Sequence, residues 1–253
     1  MRRLAAVIAA WMFISGAASG EDSIIPGIEE RTGNSLPGHL IFFGETGAKY
    51  SSDQFTDRPA IVSLVYFGCG SRCPLLLGNL AAALGDLDTD PNAYRVITLS
   101  FDDRDTPEAA AKMKRNYIKA IGRPFPEASW RFLTADKKNI NEFTHALGFN
   151  FREEKGGFSH PRALVFLSPG GTVVRYLYGM KFSPFDIKMS LLEASGKKTL
   201  FSTDRLTLFC FSFDPEENKY VFNLARSLAA AIVLGLVFSI SLVVIVRRRG
   251  GKK

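Results

Sequence analysis

A chain of 253 residues has room for one ordinary domain plus additional segments, since globular domains usually take about 100–200 residues. Its net charge of +7 does not describe a basic domain: Arg2 and Arg3 supply two charges, Arg247, Arg248, Arg249, Lys252 and Lys253 supply five, and residues 21–246 sum to zero. That balance excludes the basic surface a nucleic-acid-binding protein requires, and it directs attention to the two ends.

Arg2 and Arg3 precede an apolar run from Leu4 to Ile14, followed by Gly16, Ala17, Ala18, Ser19 and Gly20 before the first acid, Glu21. Charge, short apolar core and small residues in that order predict a secretory signal peptide over residues 1–20, too short to span a bilayer. Residues 21–38, with Pro26, Gly27, Gly33, Pro37 and Gly38, read as an extended leader.

A domain over residues 39–195 follows. His39–Phe43 and Ile61–Phe67 are short runs rich in β-branched and aromatic residues, as buried strands require. Pro74 stands at a helix-starting position and Leu75–Leu84 continues with good helix formers. Arg95–Phe101 is the next strand, and Thr106-Pro107-Glu108 opens a helix to about Ile121, with Thr106 as cap. Trp130–Thr134 is a strand, and Lys137–Leu147 a helix that stops at Gly148. Ala163–Leu167 and Val173–Leu177 flank the turn Pro169-Gly170-Gly171, and a helix over Pro184–Ala194 closes the domain. Strands alternating with helices predict an α/β fold with a mainly parallel central sheet, covered on both faces and ending in an antiparallel hairpin.

Residues 196–223 read as a polar connector carrying Cys210. Residues 224–246 predict a transmembrane helix, since Leu228–Val246 holds no charged residue and is long enough to span. The basic tail, residues 247–253, is retained on the cytoplasmic side. Both ends thus predict a single-pass inner-membrane protein whose main domain is periplasmic.

Cys69, Cys73 and Cys210 are an odd count in a compartment that permits disulfides. Cys69-Gly70-Ser71-Arg72-Cys73-Pro74 falls where a buried strand hands over to a helix. The helix dipole and Arg72 lower thiol pKa values there, so these sulfurs are expected to be reactive or metal-binding. Four residues rise only about 6 Å along a helix, which suits either a disulfide or a shared ion. His160, in Gly157-Phe158-Ser159-His160-Pro161 just before the Ala163–Leu167 strand, is either a surface histidine or a third ligand. Two thiolates and an imidazole form a soft site suited to Cu(I), with zinc as competitor. Asp102, Asp103, Arg104 and Asp105 form a charged loop that either serves the site or caps the next helix. His39, His145 and Cys210 read as structural or exposed.

Leu64-Val65-Tyr66-Phe67 leading into Cys69, Cys73 and Pro74 resembles the strand and Cys-x-x-x-Cys-Pro motif of the Sco/SenC family. Ser100–Pro107, Leu147-Gly148-Phe149, Phe158–His160, Leu167–Gly171 and Arg175–Gly179 are similar to that family's further landmarks, in the same order, and the connector resembles a C-terminally membrane-anchored subset. The resemblance implies a thioredoxin-like fold that binds a copper ion through Cys69, Cys73 and His160 and serves assembly of the copper site of cytochrome c oxidase. Its implied partners are the copper-bearing oxidase subunit, a periplasmic thiol reductant or copper donor, and the inner membrane. Gly70 stands where many members have proline, and Asp103 replaces a frequent proline. Pro161 follows the histidine, which favours an extended His160 and makes a cis bond accessible. The alternative is a thiol-disulfide reductase in which Cys69 attacks and Cys73 resolves, acting on oxidase or other periplasmic cysteines.

Overall fold

The computed structural model describes residues 25–196 and 203–250. The signal peptide expected over residues 1–20 and the end of the basic tail lie outside the described residues. In chain order the elements are β1 (Gly27–Ile28), β2 (Ile41–Phe43), β3 (Lys49–Ser51), β4 (Ala60–Val65), α1 (Arg72–Gly85), β5 (Arg95–Ser100), α2 (Pro107–Ala120), β6 (Trp130–Leu133) and α3 (Lys137–Ala146). They continue with β7 (Phe149–Asn150), β8 (Arg152–Glu154), β9 (Gly157–Ser159), β10 (Ala163–Leu167), β11 (Val173–Tyr178), α4 (Pro184–Ser195), α5 (Thr203–Cys210), β12 (Phe211–Asp214), β13 (Lys219–Phe222) and α6 (Leu224–Gly250).

The central sheet has the order β11-β10-β4-β5-β6. β4, β5 and β6 pair in parallel, β10 runs antiparallel to β4, and β11 antiparallel to β10. Four of the five strands therefore run the same way, and the sheet is mixed at the hairpin end.

β4 is buried at every position because both faces of the sheet are covered. Ile61 and Val65 join the core beneath α1 and α4, whereas Ala60, Val62 and Leu64 join a second core with Leu40, Phe42 and the α3 residues Ile140 and Phe143. This is the period of two that sends successive side chains to opposite faces. Polar atoms inside the sheet are matched: the Trp130 indole N–H donates to Thr98 Oγ1 at 2.9 Å, and the Thr98 and Ser63 hydroxyls pair at 2.8 Å.

Local chemistry sets the helix ends. Thr106 and Asp136 accept N–H bonds from Ala109 and Asn139 as N-caps of α2 and α3, and Pro107 occupies the first turn of α2. α1 is different, because its N-cap Ser71 makes no side-chain cap.

Three segments hold more structure than their composition suggested. Residues 27–36, within the leader, pair with β7 through β1, form a bridge at Ser35–Thr172 and bury Leu36. Residues 152–159 form the hairpin β8–β9. The connector contains α5 and the hairpin β12–β13. α6 is long and apolar enough over Leu224–Leu242 to cross a membrane, and no residue of that stretch is buried inside the protein.

Candidate metal centre

The chain leaves β4 through Tyr66 and Phe67, and a carboxylate anchors the exit. Asp105 accepts the Phe67 N–H at 2.7 Å and the Ser100 hydroxyl at 2.5 Å, tying the cysteine turn to the end of β5. The Cys69 N–H donates back to the Tyr66 carbonyl at 3.2 Å. Where α1 begins, the Cys73 N–H donates to Cys69 Sγ at 3.3 Å. A sulfur thus takes one of the first-turn amides that a helix otherwise leaves without an intrahelical partner.

The two thiols are unbonded to each other and unlike in character. Cys69 is 9% exposed and Cys73 1%. Burial pushes the Cys69 thiol up, but hydrogen bonds from the Cys73 and Ser71 amides, the Cys73 thiol and the Tyr66 hydroxyl outweigh it and bring the pKa down to about 7. Cys73 has the reverse balance: burial, reinforced by the neighbouring Cys69 sulfur, pushes it up to about 12. In the metal-free state Cys69 is the thiol that ionises first, close to half thiolate at neutral pH, while Cys73 stays protonated.

His160 follows β9. Its Nδ1 lies 2.8 Å from the Pro161 carbonyl, which can only accept, so Nδ1 carries the proton and Nε2 presents a lone pair. That Nε2 faces Cys73 Sγ at 3.8 Å. Burial, together with the positive charges of Arg162 and Arg72, pulls the imidazole below its ordinary pKa against the opposing Pro161 bond, so the ring is a neutral donor. Tyr66, Phe101 and Phe149 place their rings 6.0, 5.1 and 6.3 Å from the imidazole. Pro161 does not impose a cis bond, since all described peptide bonds are trans.

Among the described residues, no group of three or more His, Cys, Asp or Glu side chains is already drawn together around one point. The approach is pairwise, Cys69 to Cys73 and Cys73 to His160. The second pair has a spacing suited to sharing an ion: bonds of about 2.0 Å to nitrogen and 2.3 Å to sulfur at 120° put the donors about 3.7 Å apart.

The charged loop is split in its duties. Asp102 is buried and pairs with Arg104 at 2.6 Å, and Arg104 also reaches Glu153 at 3.0 Å and lies over the Phe158 ring. This clamps the β8–β9 hairpin, and with it His160, onto the loop after β5. Asp105 anchors the cysteine turn, while Thr106 alone caps α2. Asp103 lines a cleft of about 760 Å³ with Phe101, Phe149, Phe151 and Phe158, on the aromatic side of His160. His145 contacts Arg31, and His39 contacts Glu142, both away from the cysteines. Tyr66 was invisible as a site residue in the residue pattern, although its position three residues before Cys69 was the available signal.

A mixed sheet flanked by helices on both faces, with a dithiol at the strand-to-helix turn and an imidazole from the loop before the antiparallel hairpin, defines a thioredoxin-like protein with a soft donor set. The chain belongs to the SCO1/SenC family, whose profile matches residues 29–196. Among solved structures, a protein of Aquifex aeolicus VF5 provisionally named for electron transfer is 25% identical, with TM-score 0.61, over 68% of this chain and 99% of that one. ScoI of Bradyrhizobium japonicum, solved with copper bound, is 19% identical, with TM-score 0.50, over 63% of this chain and 99% of that one. BsSco, in which a disulfide switch was identified and which is a member of the Sco family of cytochrome c oxidase assembly proteins, is 20% identical, with TM-score 0.52, over 67% and 99%. No curated protein matches the chain in sequence.

Proposed function

We propose that this chain is a periplasmic copper-binding chaperone for assembly of the copper site of cytochrome c oxidase, tethered to the inner membrane by α6. Cys69 and Cys73 supply thiolates and His160 supplies Nε2. The observation that carries the reading is the 3.8 Å approach of a lone-pair Nε2 to Cys73 Sγ, with the other ring nitrogen occupied by Pro161. Family membership and the copper-bound ScoI of Bradyrhizobium japonicum support copper as the ion.

Copper enters as cargo. Cys69, the more readily ionised and the outer of the two, makes the first bond. Cys73 gives up its proton as the ion arrives, since a thiol must be deprotonated to ligate. Rotation of the Cys69 side chain then completes a set of two sulfurs and one nitrogen suited to Cu(I). Delivery to the copper-bearing oxidase subunit proceeds by exchange of these ligands for the acceptor's, with no net redox change. A periplasmic copper donor or thiol reductant prepares the reduced, loaded form.

The unlike pair of thiols favours a second reading, a thiol-disulfide reductase. The Cys69 thiolate attacks one sulfur of a substrate disulfide, the substrate S–S bond breaks and its other sulfur leaves as a thiolate. Cys73 then loses its proton and attacks Cys69, releasing the second substrate thiol and leaving a Cys69–Cys73 disulfide that a periplasmic dithiol must reduce. His160 separates the two readings, because exchange proceeds without it.

The test is Cu(I) stoichiometry and affinity of the reduced full chain in lipid nanodiscs, for wild type and His160→Ala. One equivalent, bound at least about tenfold more weakly without the imidazole, a loss of about 1.4 kcal/mol, is the expected result. Absence of binding, or binding indifferent to His160, makes the reductase the leading account.

A further inference from the structure

The hairpin β12–β13 joins the folded domain to α6 without slack. On the domain side, Asn218 spans the edge of β11, its Oδ1 accepting the Tyr178 N–H at 3.0 Å and its Nδ2 donating to the Tyr178 carbonyl at 2.8 Å. The Tyr220 N–H donates to Asp186 at 2.8 Å, and the Arg175 guanidinium lies 4.2 Å from the Phe213 ring centroid. On the helix side, the Asn223 N–H donates to the Cys210 carbonyl at 2.7 Å, and Asn223 Oδ1 caps α6 by accepting the Arg226 N–H at 3.0 Å. Asn223 is the single residue between β13 and α6.

Around this junction the surface is aromatic. Phe185, Phe209 and Phe222 are 38%, 45% and 54% exposed. Phe211 bridges Phe185 and Phe222, with ring centroids 4.9 and 5.6 Å away. These rings come from α4, α5 and both strands of the hairpin, and the patch continues directly into exposed Leu224 at the start of the apolar span. The hairpin's acidic turn, Asp214 to Glu217, lies at its other end. All four rings are phenylalanine, so the patch is apolar. An apolar patch continuous with a spanning helix, with the hairpin's acids at the other end, suits burial at the boundary between headgroups and acyl chains.

We infer that Phe185, Phe209, Phe211 and Phe222 form a lipid-contact seat that holds the domain directly against the bilayer, with the metal centre at the membrane-facing end. The inference rests on the reading of α6 as a membrane span. The direction follows from strand polarity. β4 and β11 run the same way, so the cysteine turn after β4 and the loop from β11 to Phe185 leave the same end of the sheet, and His160 precedes the oppositely running β10 at that end. Asn79 of α1 donates to the Met180 carbonyl in that loop at 2.7 Å, placing the two segments side by side. The centre is therefore presented to an acceptor site lying at the membrane surface.

The experiment adds one tryptophan at a time to the full chain, in phosphatidylcholine vesicles whose acyl chains are brominated near the headgroup and, in a second set, near the chain end, with the parent chain as baseline. Phe185→Trp and Phe209→Trp report the seat, Val233→Trp reports the span, and Asp90→Trp reports the opposite end of the sheet. Quenching at both seat positions relative to the parent chain, with none at Asp90→Trp, is expected. If Val233→Trp is quenched while the two seat reporters are not, or if Asp90→Trp is quenched equally, the seating is overturned and the span stands. If Val233→Trp is unquenched by the bromines near the chain end, the span itself fails and the seating with it.

Discussion

Replacing Tyr66 with phenylalanine removes a single oxygen from beside the cysteine pair while keeping the ring that packs on Phe101 and Phe158. That oxygen is one of the donors holding Cys69 as a thiolate, with the pKa at about 7. A hydrogen bond to a charged group is worth about 1.5–3 kcal/mol, and one pKa unit corresponds to about 1.4 kcal/mol. Tyr66 contributes least of the four bonds, so the low end applies and the pKa rises by about one unit. At pH 7 the thiolate fraction falls from about a half to about a tenth. The more basic thiolate is intrinsically about threefold more nucleophilic. Alkylation of Cys69 therefore slows only about twofold at pH 7 and becomes about threefold faster above pH 9. The assay is iodoacetamide labelling of the metal-free, reduced protein across pH, read at Cys69 by peptide mass spectrometry. A crossing of the two pH profiles is expected. A midpoint that stays at the wild-type value refutes the claim that Tyr66 stabilises the thiolate.

Further outcomes follow from other contacts. Cys73, pushed up to about 12, stays unlabelled between pH 6 and about 10 in the same experiment, and labelling of both cysteines together near neutrality contradicts the asymmetry. Gly148→Ala places a Cβ 1.8 Å from the Glu29 carbonyl at a backbone φ of +62°, so it lowers stability by about 1–3 kcal/mol in thermal unfolding, and an unchanged melting temperature counts against the β1–β7 pairing. Lys114→Met leaves the buried Glu45 carboxylate with Arg131 as its remaining ion-pair partner and costs about 3 kcal/mol in chemical denaturation; a loss under about 1 kcal/mol indicates that water reaches Glu45. Asn218→Ala removes both bonds to the Tyr178 backbone and speeds amide exchange at Tyr178 about tenfold, whereas an unchanged rate means that the hairpin is held by its aromatic contacts alone.

The central elements were legible because their signals are local. Strands at Ala60–Val65, Arg95–Ser100 and Ala163–Leu167 are mostly apolar and rich in β-branched residues, interrupted only by Arg95 and the hydroxyl residues Ser63, Thr98 and Ser100, the mark of strands buried on both faces. Thr106-Pro107 marked the start of α2 through side-chain capping. Cys69 and Cys73 announced themselves by position at a helix start, whereas the approach of His160, 87 residues on, rested on family resemblance. The segments that hold more structure than expected share a cause. β1, β8–β9 and β12–β13 are strands of only two to four residues, stabilised by tertiary partners such as the Arg104–Glu153 ion pair and the Asn218–Tyr178 bonds, and so short a segment reports no partner that arrives from elsewhere in the chain. Tyr66 escaped notice for the same reason, since its role depends on Cys69 and the Phe158 backbone converging on its hydroxyl.

The imidazole of His160 is oriented by a carbonyl only one residue away. Metal-binding histidines commonly rely on a carboxylate, carbonyl or water in the surrounding shell to choose which nitrogen stays free. Here the choice travels with the chain segment itself. The orientation of His160 is thus independent of the turn that carries the cysteines: the nitrogen left free is chosen within the histidine's own segment, whatever distance separates it from the two sulfurs.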